Sequence, residues 1–165
     1  MRKTSKLNRS TRKIAAAVTV PLVTAAALAV TAPPASAATT KCSGYQYRTG
    51  PVVTQVAVKT CVVASGSSRY AYILVEWARA YGGTDWDLFK VHARLERNDG
   101  NYATKWCDFT DSMNRYQNGR LTCRTATVSS SVSGGWTGDG IVNFNINLDG
   151  LGTKTWELGG SPSVS

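Results

Sequence analysis

Val52 to Tyr81 reads VVTQVAVKTCVVASGSSRYAYILVEWARAY. Two runs rich in β-branched and aromatic residues flank a small polar segment, Ala64-Ser65-Gly66-Ser67-Ser68, which is the pattern of a β-hairpin. Strand side chains alternate between faces. Ala71, Ile73, Val75 and Trp77 therefore share one side, and Tyr70, Tyr72 and Leu74 the other. A strand with bulk on both sides belongs inside a sheet, so this hairpin is expected at the centre of the fold.

The cleanest alternation follows at Phe89 to Arg97, FKVHARLER. Phe89, Val91, Ala93 and Leu95 face inward; Lys90, His92, Arg94 and Glu96 face solvent. Asn98-Asp99-Gly100-Asn101 is a strong turn. Ile141 to Asp149 alternates again, with Val142, Phe144, Ile146 and Leu148 inward and Asn143, Asn145, Asn147 and Asp149 outward. Gly44 to Arg48, Tyr102 to Phe109, Arg120 to Val128 and Thr153 to Leu158 read as further strands. Thr110 to Gly119 reads as a polar loop, Ser129 to Gly140 as a long irregular stretch, and Gly159 to Ser165 as a tail that should fray. About eight short strands and no helix predict an all-β fold, a single antiparallel β-sandwich.

The N-terminal segment stands apart from this pattern. Arg2, Lys3, Lys6, Arg9, Arg12 and Lys13 precede an apolar run from Ile14 to Val30, and Ala35-Ser36-Ala37 completes a cleavage-site pattern. Residues 1–37 are predicted to be a secretory signal peptide, leaving 38–165 as one secreted domain. Pro21 interrupts the apolar run, which argues against a membrane anchor. Six of the 19 basic residues lie in this leader, so the remainder carries 13 against ten acidic ones, a net +3. With no basic run, nothing points to nucleic acid.

All four cysteines, Cys42, Cys61, Cys107 and Cys123, lie in the exported part, and an even count there reads as two disulfides. Three pairings are possible. Cys42–Cys61 and Cys107–Cys123 are favoured because each encloses a short segment with a turn signal, Thr49-Gly50-Pro51 and Gln117-Asn118-Gly119. No C-x-x-C occurs and His92 is the only histidine, so neither a metal nor another cofactor is expected.

Candidate chemistry is sparse. Lys90, His92, Arg94 and Glu96 put an acid, a base and a cation side by side, but an ordinary solvated strand face looks the same. No G-x-S-x-G places a nucleophile, and the ten acids cannot be paired from sequence for glycoside chemistry. Asp85-Trp86-Asp87 and Gly138-Asp139-Gly140 fall short of a calcium loop. Trp77 and Trp156 read as core. Trp86 and Trp136 lie among glycines and are expected to be exposed. With Asn143, Asn145 and Asn147 they form the predicted binding surface for a protein partner or a sugar. Arg115, in the loop between strands, could anchor a protease inhibitor segment.

The Ala-rich leader ending Ala-Ser-Ala-Ala, the two-disulfide domain and the close GWTGDGIVNFNINLDGLGTKTWELGG resemble small secreted β-sandwich proteins of streptomycetes and related actinobacteria. In size and secretion pattern the chain is similar to the small bridging subunit of the umbrella toxin particles, which joins a lectin subunit to a large repeat-bearing toxin subunit. The resemblance implies a protein–protein adaptor or structural subunit of an extracellular complex, but carries no functional residue across. The expected function is thus a secreted, non-catalytic binding protein with secreted protein partners, no nucleic acid and no membrane. A polysaccharide-binding module and a protease inhibitor are the alternatives.

Overall fold

The hairpin expected at the centre is there. In the computed structural model, which describes residues 37–49, 54–79, 85–147 and 149–165, β3 (Thr54–Ser65) and β4 (Ser68–Arg79) pair along their whole length, closing with Ser65 opposite Ser68. Gly66 takes a positive φ of 53° in the two-residue turn between them, a conformation glycine adopts without penalty. Residues 1–36 of the predicted leader, and the predicted inward residue Leu148, lie outside the described residues.

Around this hairpin stand β1 (Thr39–Cys42), β2 (Gln46–Thr49), β7 (Asn118–Arg124) and β8 (Val128–Ser129), making a six-stranded antiparallel sheet of order β1-β3-β4-β7. Both β2 and β1 pair with β3, and β8 pairs with β4. A second antiparallel sheet has the order β10-β9-β5-β6, built from β5 (Trp86–Arg97), β6 (Gly100–Asp108), β9 (Trp136–Ile146) and β10 (Lys154–Glu157). The two sheets pack face to face as the all-β sandwich that the alternation predicts.

The core is the sum of the inner faces. Val56, Val58, Ile73, Val75, Phe89, Val91, Ala93, Val142 and Phe144 are buried in its main cluster. A smaller cluster at one end gathers Val62, Ala64, Ala71, Leu95, Trp136 and Val164. Each of the valine, leucine, isoleucine and phenylalanine side chains contributes about 1.5–3 kcal/mol by leaving water. Both predicted disulfides form, and they do different work. Cys42 and Cys61 are directly opposed on β1 and β3. Cys107 on β6 reaches Cys123 on β7, so that bridge ties one sheet to the other.

Two one-residue bulges in the smaller sheet decide which side chains point out. Leu95 pairs with Ala103 but Glu96 pairs with Asn101, so Tyr102 is the extra residue of β6. Trp86 pairs with Ile146 but Leu88 with Asn145, so Asp87 is the extra residue of β5. Because strand side chains alternate, one inserted residue reverses the facing of everything beyond it. Trp86 is thereby turned inward. Trp106 is turned outward, and Cys107 inward toward Cys123.

Three expectations fail. The stretch 129–140 is not irregular throughout, since β8 takes in Ser129 and β9 starts at Trp136. Thr110–Arg115 is a short helix, α1, instead of a plain loop. Its Met113 is fully buried, and Asn114 clamps Trp86 through both its amide groups, at 2.8 Å each. The tail does not fray either. Ser161 N–H donates to the Gly138 carbonyl at 2.8 Å, Val164 N–H donates to the Trp136 carbonyl at 2.9 Å, and Val164 is 1% exposed. Valine in the tail has a core pocket to fill, and the backbone follows it.

Candidate functional site

The two tryptophans expected to be exposed are core residues. Trp86 is 5% exposed and packs edge-on against Phe89 and Phe144, at 5.1 and 6.1 Å between centroids. It lines a cavity of about 280 Å³ together with Arg48, Phe144, Asp149 and Lys154. Trp136 is 1% exposed, donates its indole N–H to the Val132 carbonyl at 3.0 Å and meets Tyr102 edge-on. Glycine-rich flanks hide both from a reading of local sequence: the bulge turns Trp86 in, and β9 begins at Trp136 itself. Asn143 and Asn145 do face outward on β9, half-buried, with Asn147 just beyond its end. Asn143 Oδ1 accepts the Thr155 hydroxyl at 3.0 Å. No surface tryptophan is among the predicted partners of this asparagine row. Arg115 ends the helical turn α1, not the extended segment that an inhibitor anchor needs.

The acid–base set on β5 is drawn into a structural ion-pair network. Arg94 donates to Asp139 at 2.7 Å and forms an ion pair with Glu96 at 2.9 Å. Burial, then the Asp139 carboxylate, holds the Glu96 carboxyl above its ordinary value. Burial, then the Arg94 guanidinium, holds the His92 imidazole below its own. Four residues of strand separate His92 from Glu96, about 14 Å of rise. They cannot share one reacting atom, and Arg94 is committed to its two carboxylates. Among the described residues no three His, Cys, Asp or Glu side chains gather as a metal site.

Where sequence reasoning saw only hairpin, the structure places an aromatic and cationic face. On the outer side of the larger sheet, Lys59, Tyr70, Tyr72, Leu74, Arg120, Thr122 and Arg124 line a shallow groove of about 500 Å³. The β4–β7 register makes it, setting Tyr72 beside Arg124, Leu74 beside Thr122 and Glu76 beside Arg120. The Arg124 guanidinium lies 3.8 Å over the Tyr70 ring, and Lys59 Nζ lies 4.5 Å over Tyr45. Arg120 pairs with Glu76 at 2.6 Å. Three cations face one carboxylate, leaving the groove positive. That Tyr70, Tyr72 and Leu74 share one face was legible in sequence; that this face is the outer one, with arginine neighbours on β7, was not.

The smaller sheet carries an exposed tryptophan. Trp106 on β6 is 46% exposed, and the His92 ring stacks on it at 4.3 Å with 4° between planes.

The chain matches no protein-family model, no curated protein and no solved structure. Two disulfides fit an oxidising, extracellular type of environment, and no helix among the described residues is long and apolar enough to cross a membrane.

Proposed function

We propose that this chain is a secreted, non-catalytic binding protein, an adaptor or structural subunit of an extracellular complex, that holds a protein partner on the outer face of its larger sheet. One observation carries the reading: the groove is built of tyrosine and arginine. These are the residues enriched at protein interfaces and at their energetic centres. The rings are already held by stacked cations, so little side-chain freedom is lost on binding. An excess of cations over Glu76 selects an acidic partner surface and speeds its approach. The export-type leader, the two disulfides and the resemblance to bridging subunits of umbrella toxin particles support the same assignment.

Strand addition at the edge of β6 is the less favoured route. Lys105 pairs with Ala93, on the inward parity of that edge strand, and an inward-pointing charge with a bulge beside it guards an edge against pairing.

Purification from the surrounding medium under native conditions, followed by mass spectrometry, should recover a protein partner in fixed ratio. Arg124→Glu combined with Tyr70→Ala should weaken that complex roughly tenfold or more, and Lys105→Ala should leave it intact. Recovery as a lone monomer overturns the proposal.

A further inference from the structure

We infer that the outer face of the smaller sheet is a second, independent site, one that stacks a neutral glycan on Trp106. The registers set three outward rows across this face. Glu157, Ile141, His92 and Trp106 form the middle row. Thr155, Asn143, Lys90 and Asp108 form the row on one side, and Asp139, Arg94 and Thr104 the row on the other. An apolar and aromatic stripe, Ile141–His92–Trp106, thus crosses three strands, about 10 Å, between two rows of hydrogen-bonding groups.

Three features select a sugar. Trp106 is backed on one ring face by the parallel His92 ring, and β6 is the edge of its sheet. The indole is therefore fixed before a ligand arrives, and an amphipathic ring held in this way suits the C–H face of a pyranose. Thr104 flanks Trp106 two residues away on the same face of β6, and Lys90, Asn143 and Thr155 continue a polar row across the sheet; hydroxyl and amide groups both donate to and accept from sugar hydroxyls. A protein site clusters tyrosine and arginine anchors, as the groove on the other sheet does; on this face the arginine of the rows, Arg94, is already held by its two carboxylates.

Charge selects which sugar. Lys90 pairs with Asp108 at 3.4 Å, and Arg94 with Glu96 and Asp139. With Glu157 the face holds four carboxylates against two cations, so an acidic polymer is repelled and a neutral one is not. The site is opposite in sign to the tyrosine–arginine groove and lies on the other sheet. A chain engaging both would link a protein to a glycan surface.

The test is sedimentation of the purified, oxidised protein with cellulose, chitin, starch and an insoluble β-1,3-glucan, with polygalacturonate as the acidic comparison. At least one neutral polymer should retain the protein. Trp106→Ala should cut retention tenfold or more, Trp106→Tyr should restore part of it, and Arg124→Glu should leave it unchanged. An unaltered thermal midpoint for Trp106→Ala shows that the loss is not unfolding. Retention by none of the neutral polymers overturns the inference, as does retention only by polygalacturonate or retention indifferent to Trp106. Loss of a protein partner on Trp106→Ala, with no glycan bound, assigns this face to protein and overturns it too. Failure here leaves the groove reading standing, because that reading is scored by Arg124 and Tyr70.

Discussion

Trp106 stands opposite His92 because Tyr102 takes up one extra residue in β6. From the hairpin end the register begins with Arg97 opposite Gly100 and Glu96 opposite Asn101; continued unbroken, it would bring Lys105 opposite His92. Trp106 would then point into the core and Cys107 away from Cys123. Deleting Tyr102 should restore that simple register. The expected outcome is loss of the Cys107–Cys123 bridge, read as two titratable thiols in the purified variant. Stability should fall by about 3 kcal/mol in denaturant unfolding from the lost cross-link alone. A variant with no free thiols would show that the bulge does not set the facing.

Gly119 faces Trp77 across β4 and β7, and a side chain there would fall inside the indole. The ring cannot swing aside freely, since its N–H donates to the Tyr116 carbonyl at 3.0 Å. A large ring covering a strand glycine keeps apolar surface from water where no side chain is available. Gly119→Ala should therefore destabilise the fold by about 1–3 kcal/mol, although alanine is the better strand former. Thermal unfolding of the variant, read at the tryptophan near-ultraviolet signal, checks this.

Much of this fold is legible in the residues, and its limits are physical. Period-two alternation gives β4, β5 and the second half of β9 with their inner faces, β-branched composition gives β3, and spacing with turn signals gives both disulfides. Thr39–Cys42 forms β1 without any apolar signal, because pairing with β3 holds it and not its own composition. The tryptophans are misjudged for two reasons. Trp86 and Trp136 sit near glycines, and local composition does not record that strands begin at them. Facing follows from counting residues in twos, and a bulge changes the count without marking the sequence. Trp86 and Trp106 also lie beyond bulges, which turn the first into the core and leave the second on the surface. A constraint was present at Cys107: a bridge to Cys123 between the sheets requires it to face inward, which forces its neighbour Trp106 outward. The groove was hidden differently, since it depends on which strand lies beside β4, and no local pattern records that β7 does.

The docked tail makes its own prediction. Ser161 both donates to Gly138 through its backbone and accepts the Gly138 N–H on its hydroxyl, each at 2.8 Å, and Val164 fills the pocket beside Trp136. Removing residues 161–165 empties that pocket and frees these hydrogen bonds. The cost should be about 3 kcal/mol, with the tryptophan emission shifting to longer wavelength as Trp136 meets water. Unchanged stability in urea would mean that the tail is passive.

His92 should give the fold a titration that can be isolated, since it is the only histidine. Burial first, and the Arg94 guanidinium second, lower its pKa from 6.5. Just below pH 6.5 the unfolded chain therefore binds more protons at this position than the folded one. Stability from this group is complete above 6.5 and is lost as pH falls through the folded value. Glu96 acts in the opposite sense. Burial, then Asp139, raise its pKa from 4.5, so its contribution is complete below 4.5 and is lost as pH rises through the folded value. In the wild type the two slopes oppose each other. His92→Gln removes only the first, so the thermal midpoint of that variant should fall, relative to wild type, as pH is raised from about 5 toward 7. Parallel midpoint curves for the two proteins across that range would show that His92 titrates as freely in the fold as in the unfolded chain.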